Sequence, residues 1–229
     1  MRAEQVSIGG IPAILYGDPA ERGYLFLHGQ MGHKEEAEAF ARAACPRGHQ
    51  VLSIDLPGHG VRQGRGEELA PWTAVPDIRA ALDWAERRWE SISLRATSIG
   101  AYFALLAFAN PARALLLSPV LDMEGLILTM MSGAGVSEAQ LRERGEIADA
   151  LGQPLSWKYL CWVREHPVYR WACPVRILWG SGDNMTPREA VEAYARRQGA
   201  RLTVLEGGEH WFHTPEQLAA LKKWEETEC

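Results

Sequence analysis

Three residue types that together can activate a hydroxyl stand in one chain order here. Ser98 lies in "LRATSIGAYFALL", Asp183 in "GSGDNM" and His210 in "EGGEHW". A neutral serine hydroxyl is a weak nucleophile, so a base must take its proton as it attacks. His210 is suited to accept that proton and return it to a leaving group near neutral pH. Asp183 is suited to accept a hydrogen bond from the other imidazole nitrogen, which fixes the tautomer and stabilises the imidazolium. The chemistry such a set performs is acyl transfer. Its developing oxyanion needs preorganised donors, and the Ile99 N–H, directly after the serine at the start of a helix, is one. The glycine-rich turn "HGQMG" is the place for a second.

Each of these residues has a competitor. Ser118 also ends an apolar stretch, but no elbow glycine surrounds it. Asp122 follows the preceding apolar stretch and is the rival acid. His213 sits three residues past His210 at the start of a helix, whereas Gly207 and Gly208 give His210 a loop that permits close approach. His210 and His213 stand at i, i+3, a spacing that could suggest a metal, but no further Cys, His or Asp cluster has ligand spacing, so no metal is expected. His28 and His59 lie beside glycines in turns and read as hydrogen-bonded structural histidines. No phosphate-cradling loop is present, since "GSGDNM" lacks the lysine-serine ending and "IGGIPA" opens no helix. No cofactor is expected.

The elements that must position these residues alternate in type. "EQVSI" and "IPAILYG", joined by Gly9-Gly10, read as a hairpin. "GYLFLHG", "QVLSID", "SISLRAT", "RALLLSPV", "PVRILWG" and "ARLTVLEGG" read as strands, with helical patterns between them. Start signals support the helices. Thr186, Pro187 and Glu189 form one candidate capping box, Thr214, Pro215 and Gln217 another, and Ser137 with Gln140 a third. The pattern predicts an α/β fold with a doubly wound, mostly parallel sheet of about eight strands. Ligands bind such sheets at the carboxyl ends of the strands, where Ser98, Asp183 and His210 all fall.

One interval breaks the alternation. Residues 121–171 carry helical signals, among them "LRERGEIADALG", and many large apolar groups, and read as a small helical cap inserted into a core of residues 1–120 and 172–229. Met31, Met123, Ile127, Trp157 and Trp211 are the candidate pocket residues. Glu124, Lys158 and Arg164 are charges that could select a polar head group.

The set "HGQMG", "DLPGHG", the serine turn, "GSGDNMTP" and "GGEH" resembles the α/β-hydrolase fold superfamily, over nearly the whole chain. That resemblance implies a Ser98–Asp183–His210 triad, with Gln30 giving the second oxyanion donor and Met31 as the alternative. It also gives "DLPGHG" a structural, turn-shaping part. Ala96 departs from the usual pattern, which has glycine two residues before the serine.

Composition sets the remaining bounds. The chain has 229 residues, 47% hydrophobic and 23% charged, with a net charge of −5, which argues against a nucleic-acid partner. Four cysteines without framework spacing fit a reducing compartment. "MRAEQVSIGG" lacks a signal-peptide core, and no apolar run is long enough to span a membrane, so the expectation is a cytoplasmic protein with no membrane partner. The reading is a serine hydrolase that cleaves a carboxylic ester, or thioester, of a small molecule through an acyl-Ser98 intermediate. A peptidase, acyltransferase or C–C hydrolase on the same scaffold, or a ligand-binding protein without turnover, are the other readings. Oligomeric state is not legible.

Overall fold

Strands that are apolar on both faces can satisfy their backbone only against one another, and here they do so in one sheet. The computed structural model describes residues 1–148, 154–168 and 170–229. The first half of the chain forms β1 (Ala3–Ile8), β2 (Ile11–Tyr16), β3 (Arg22–Leu27), α1 (Ala37–Ala44), β4 (His49–Ile54), α2 (Pro71–Glu86), β5 (Ser91–Thr97), α3 (Ile99–Ala107) and β6 (Ala114–Leu117). Then come α4 (Met123–Gly133), α5 (Glu138–Arg144), β7 (Glu146–Ala148), β8 (Pro154–Ser156), α6 (Trp157–Glu165), β9 (Val175–Gly180), α7 (Arg188–Gln198), β10 (Arg201–Leu205) and α8 (Pro215–Glu228). The main sheet has eight strands in the order β1-β2-β4-β3-β5-β6-β9-β10. The β1–β2 hairpin and the β2–β4 pair are antiparallel, and all later neighbours are parallel.

The period-2 alternation of the strands divides the core between the two faces. In β3, Leu25 and Leu27 belong to the same buried core as Ile78 of α2, Phe103 of α3 and Val191 of α7. Tyr24 and Phe26 point the other way, to Phe40 of α1 and Trp224 of α8. Helices on both faces make the sheet doubly wound, and burying each such apolar side chain is worth about 1.5–3 kcal/mol.

The interval between β6 and β9 holds α4 to α6. Ser137 and Gln140 form the expected capping box, each side chain meeting the other's backbone N–H at 3.3 and 2.8 Å. The expected helix through "LRERGEIADALG" does not continue. It ends at Gly145, whose φ of 76° is left-handed, and Glu146–Ala148 instead pairs antiparallel with Pro154–Ser156. Residues 149–152 of that stretch lie outside the described residues. Arg164 on α6 holds the interval together, donating to Glu124 of α4 at 2.7 Å and to both carboxylate oxygens of Glu138 on α5 at 2.8 and 2.9 Å. Lys158 lies 3.8 Å from the centre of the Trp72 ring of α2. The three charges read as head-group selectors are thus engaged in joining helices.

The turn after β3 is fixed from beneath by Asp55, at the exit of β4. Its fully buried carboxylate accepts from the Lys34 N–H at 2.8 Å, the Lys34 ammonium at 3.0 Å and the Val61 N–H at 3.1 Å. Burial alone would lower the Lys34 pKa, but bonds to Glu35 and Asp55 reverse this and hold it above its ordinary value. The turn-shaping part expected of "DLPGHG" therefore has a specific form, an aspartate gathering donors from two loops. Asp55→Ala is expected to cost about 3–5 kcal/mol, because it removes one of the two carboxylates on the buried Lys34 ammonium and leaves the Lys34 and Val61 N–H groups without their acceptor. Urea denaturation measures this directly.

Candidate active site

Ser98 occupies the junction between β5 and α3 with φ 51° and ψ −122°, a conformation that costs a non-glycine residue about 1–3 kcal/mol. Three backbone hydrogen bonds hold it. The Ser98 N–H donates to the Leu117 carbonyl at 3.0 Å, and the Ser98 carbonyl accepts from Ala101 and Val120, both at 3.1 Å. Gly100 is obligatory on the helix side, since a Cβ there would stand 2.4 Å from the His28 carbonyl oxygen. Ala96, where the resemblance leads one to expect glycine, is accommodated at 0% exposure inside the core. The crowding is on the helix side of the turn.

The Ser98 hydroxyl lies 2.8 Å from His210 Nε2, and His210 Nδ1 lies 2.8 Å from Asp183 Oδ2. The imidazole and carboxylate are both buried, at 2% and 0% side-chain exposure. The second carboxylate oxygen of Asp183 accepts from the Met185 and Thr186 N–H groups at 2.8 and 2.9 Å. With Asp183 as acceptor, Nδ1 carries the proton and Nε2 is left to accept from the serine. The two loops meet backbone to backbone. Gly182 N–H donates to the Gly208 carbonyl at 2.8 Å, and a Cβ on Gly180 would stand 2.3 Å from that same oxygen. Thr186 does not cap α7 as its sequence context implies. Its hydroxyl donates to the Pro119 carbonyl at 2.9 Å, which fastens the Asp183 loop to the exit of β6.

The competitors lie elsewhere. Asp122 is exposed and caps α4, accepting from the Gly125 N–H at 2.9 Å. His213 is exposed and engages the Trp211 carbonyl and Glu209. Ser118 is buried with φ 41° and its hydroxyl has no partner among the described residues.

The "HGQMG" turn sits against the serine, since a Cβ on Gly29 would stand 3.3 Å from Ser98 Cβ. Among the described residues, the N–H groups of Ile99, Gln30 and Met31 donate to no protein acceptor. His28 anchors this turn from inside the protein. Its Nε2 accepts from the Leu56 N–H at 3.1 Å, which requires Nδ1 to donate to the Gly29 carbonyl at 2.7 Å. Burial pushes its pKa down to about 4, so the ring stays neutral at physiological pH. His59 bonds the Pro57 carbonyl at 2.8 Å, as expected of a structural histidine.

A cavity of about 380 Å³ opens beside Ser98 and His210, walled by Phe26, Phe40, Trp211 and Phe212 and bordered by Gln30. Its apolar lining belongs to the α1/α8 face of the sheet, and none of the described residues of the helical interval is part of it. Of the pocket residues read from sequence, Trp211 lines it, half exposed. Met123 and Ile127 instead lie in the core with Met131, because their four-residue spacing lays one stripe of α4 inward. Trp157 packs half-buried against that core, and Met31 is 76% exposed with φ 63°, outside the cavity wall. Arg95 and Glu225, which also line the cavity, were not selected from sequence. The available signal was an arginine in the middle of the otherwise apolar "SISLRAT".

No group of metal-binding side chains occurs among the described residues, and no described helix is long and apolar enough to cross a membrane. The alpha/beta hydrolase family model matches residues 24–221. Among solved structures, Est1E from Butyrivibrio proteoclasticus with bound ferulic acid is 21% identical, covers 98% of this chain and 96% of that one, and has a TM-score of 0.77. Alpha/beta hydrolase domain-containing protein 10 from mouse is 17% identical over 98% of this chain and 96% of that one, with a TM-score of 0.73. The thioesterase domain from the curacin biosynthetic pathway is 17% identical over 98% and 99%, with a TM-score of 0.59. At these identities the likeness is one of fold. No curated protein matches the sequence.

Gly100→Ala is expected to destabilise the protein by at least about 1–3 kcal/mol, because the methyl meets backbone instead of a movable side chain. Thermal or urea unfolding reads this out. His28 gives a pH-dependent expectation. Its folded pKa, about 4, lies below the ordinary 6.5. Its stabilising effect is therefore complete above pH 6.5 and declines as pH falls towards 4. Between pH 7 and 4 the native protein should lose on the order of 3 kcal/mol more than a His28→Gln variant. Equal pH slopes for the two proteins would contradict it.

Proposed function

The chain belongs to the alpha/beta hydrolase family, and on that premise we propose that it is a serine hydrolase that cleaves a carboxylic ester or thioester through an acyl-Ser98 intermediate. The observation that carries this reading is the unbroken hydrogen-bond chain from Ser98 through His210 to Asp183, 2.8 Å at each link. A ligand-binding protein without turnover has no need of such a chain in a buried, oriented form.

Ser98 Oγ attacks the carbonyl carbon while His210 Nε2 takes its proton. The positive charge that forms on the imidazole faces Asp183, whose other oxygen is held by two backbone N–H groups and so does not rotate away. The carbonyl oxygen becomes an oxyanion. The free N–H of Ile99, at the start of α3, and that of Gln30 in the adjacent turn are its donors, with Met31 the alternative in the same turn. Each such donor is worth about 2.7–4 kcal/mol of transition-state stabilisation. His210 then protonates the departing alcohol or thiol, and water, deprotonated by the same imidazole, releases the acid from Ser98. Two structural neighbours, Est1E with bound ferulic acid and the thioesterase domain from the curacin biosynthetic pathway, are consistent with acyl chemistry on this fold. The apolar walls beside Ser98 favour a substrate with an apolar arm, a small molecule handled without a cofactor. Residues 121–171 form the cap of the core in this reading, and the compartment is the cytoplasm.

A fluorophosphonate probe should label Ser98, and a folded protein that resists labelling overturns the proposal. Ser98→Ala should lower kcat on short p-nitrophenyl esters by about 10⁴-fold or more. Asp183→Asn should lower it by about 10⁴-fold through loss of the correct tautomer, whereas Asp122→Asn, which can still cap α4, should leave it within about two-fold. A greater loss from Asp122→Asn reassigns the acid.

A further inference from the structure

The cavity beside Ser98 contains a charge pair that the hydrolytic steps do not use. Arg95 stands on β5 three residues before the serine and shares a strand face with Thr97. Its Nε donates to Glu225 Oε1 on α8 at 2.8 Å, and its Nη1 donates to Thr97 Oγ1 at 2.8 Å. The two side chains are 3% and 7% exposed, yet both line the cavity that contains Ser98 and His210. The guanidinium lies 5.2 and 6.0 Å from the centres of the Phe26 and Phe40 rings, so the pair is set into an aromatic wall.

Stability alone does not account for this pair. Desolvation offsets most of the attraction between buried charges, and apolar residues of similar volume serve as well or better. What the pair adds is hydrogen-bonding capacity at the cavity wall. Among the described residues, Arg95 Nη2 donates to no acceptor and Glu225 Oε2 accepts from no donor. Neither is among the polar atoms sealed from solvent without a partner. One donor and one acceptor therefore stand together beside the aromatic wall formed by Phe26 and Phe40.

The charge census selects the ligand group. Arg95 and Glu225 cancel formally, and Glu36 adds a further carboxylate at the cavity wall. Burial raises the pKa of both acids, since taking a carboxyl out of water disfavours its charged form. A carboxylate-tipped substrate arm would meet two acids and one arginine, with the His210 and His213 imidazoles also on the lining, and an ammonium would meet the guanidinium. An uncharged hydroxyl does neither, because it accepts one hydrogen bond and donates another. The volume, about 380 Å³, lies within the range of small-molecule sites.

We propose that this cavity is a recognition subsite for one arm of the ester, an apolar chain that ends in a hydroxyl accepting from Arg95 and donating to Glu225. The assignment rests on the serine-hydrolase reading, since the arm belongs to the ester that Ser98 attacks.

Matched esters test it. Methyl 6-hydroxyhexanoate is compared with methyl heptanoate, in which a methyl replaces the hydroxyl. 6-Hydroxyhexyl acetate is compared with heptyl acetate, so that the two series distinguish the acyl arm from the alcohol arm. In one series kcat/KM for the hydroxyl ester should exceed that of its methyl counterpart at least ten-fold, the reverse of what a purely apolar cavity gives. Monomethyl hexanedioate should be the poorest acyl substrate. In the double variant Arg95→Met/Glu225→Leu, which orphans no buried charge, the hydroxyl preference should collapse to two-fold or less. Binding of the intact esters to Ser98→Ala by calorimetry supplies a readout without turnover and should show the same ten-fold preference. If no ester is hydrolysed, the hydrolase reading fails and the calorimetric ratio alone decides the subsite. If esters are hydrolysed but hydroxyl and methyl esters stay within two-fold in both series, the subsite is overturned and the hydrolase reading stands. A hydroxyl preference that survives in the double variant also overturns it.

Discussion

The left-handed backbone at Ser98 is the constraint around which the other loops are arranged. A non-glycine residue held there stores strain, and it persists only where its surroundings leave no relaxed alternative. The turn between β5 and α3 is closed on one side by the Leu117 carbonyl and on the other by the Val120 and Ala101 N–H groups. The first turn of α3 meets the exit of β3 so closely that only glycine fits at position 100. The strain thus projects the hydroxyl clear of the strand while the Ile99 N–H stays unbonded, and both follow from a single backbone geometry.

The exit of β6 carries that geometry to the acid. The Val120 N–H meets the Ser98 carbonyl, the neighbouring Pro119 carbonyl accepts from the Thr186 hydroxyl, and the Thr186 N–H donates to Asp183. A continuous hydrogen-bonded path therefore joins the Ser98 loop and the Asp183 loop through two residues of a third loop. The strained φ of Ser118 lies at the start of this path, where β6 must turn out of the sheet to reach both. The acid and histidine loops are in turn joined directly, with Gly182 bonded to the Gly208 carbonyl. Separations of this kind, over tens of residues, are held to hydrogen-bond precision without a side chain that touches substrate.

Much of this was legible in the sequence, and the reasons are local. "SISLRAT" and the residues after it announce strand, turn and helix by apolar pattern and small residues, and β5 spans those seven positions. Chain order and post-strand position single out Ser98, Asp183 and His210, the three that the fold brings together. What the sequence obscured depends on partners far away. "TPRE" carries every local mark of a capping box, yet the Thr186 hydroxyl goes to Pro119, 67 residues distant, because tertiary contact outcompetes the local cap. "LRERGEIADALG" has helical composition, but Gly145 takes a left-handed φ and a strand follows. The apolar residues of α4 satisfy a pocket pattern and a core pattern equally well. Only packing reveals that Met123, Ile127 and Met131 turn into the core.

The same distinction explains why a charged residue in the middle of a buried strand carries information that an apolar residue does not. Leu94 and Ala96 on one face of β5 are what any sheet core requires. Arg95 between them is not, since its burial is tolerable only with an acceptor brought in from another element. That acceptor, Glu225, lies on the helix that directly follows the histidine loop. The pair therefore ties the strand that presents Ser98 to the element that ends the loop of His210. An ion pair formed at that place aligns α8 with β5 and leaves its remaining donor and acceptor at the wall of the cavity. Positioning and recognition thus fall to the same two side chains, which is why neither can be replaced alone without leaving a buried charge behind.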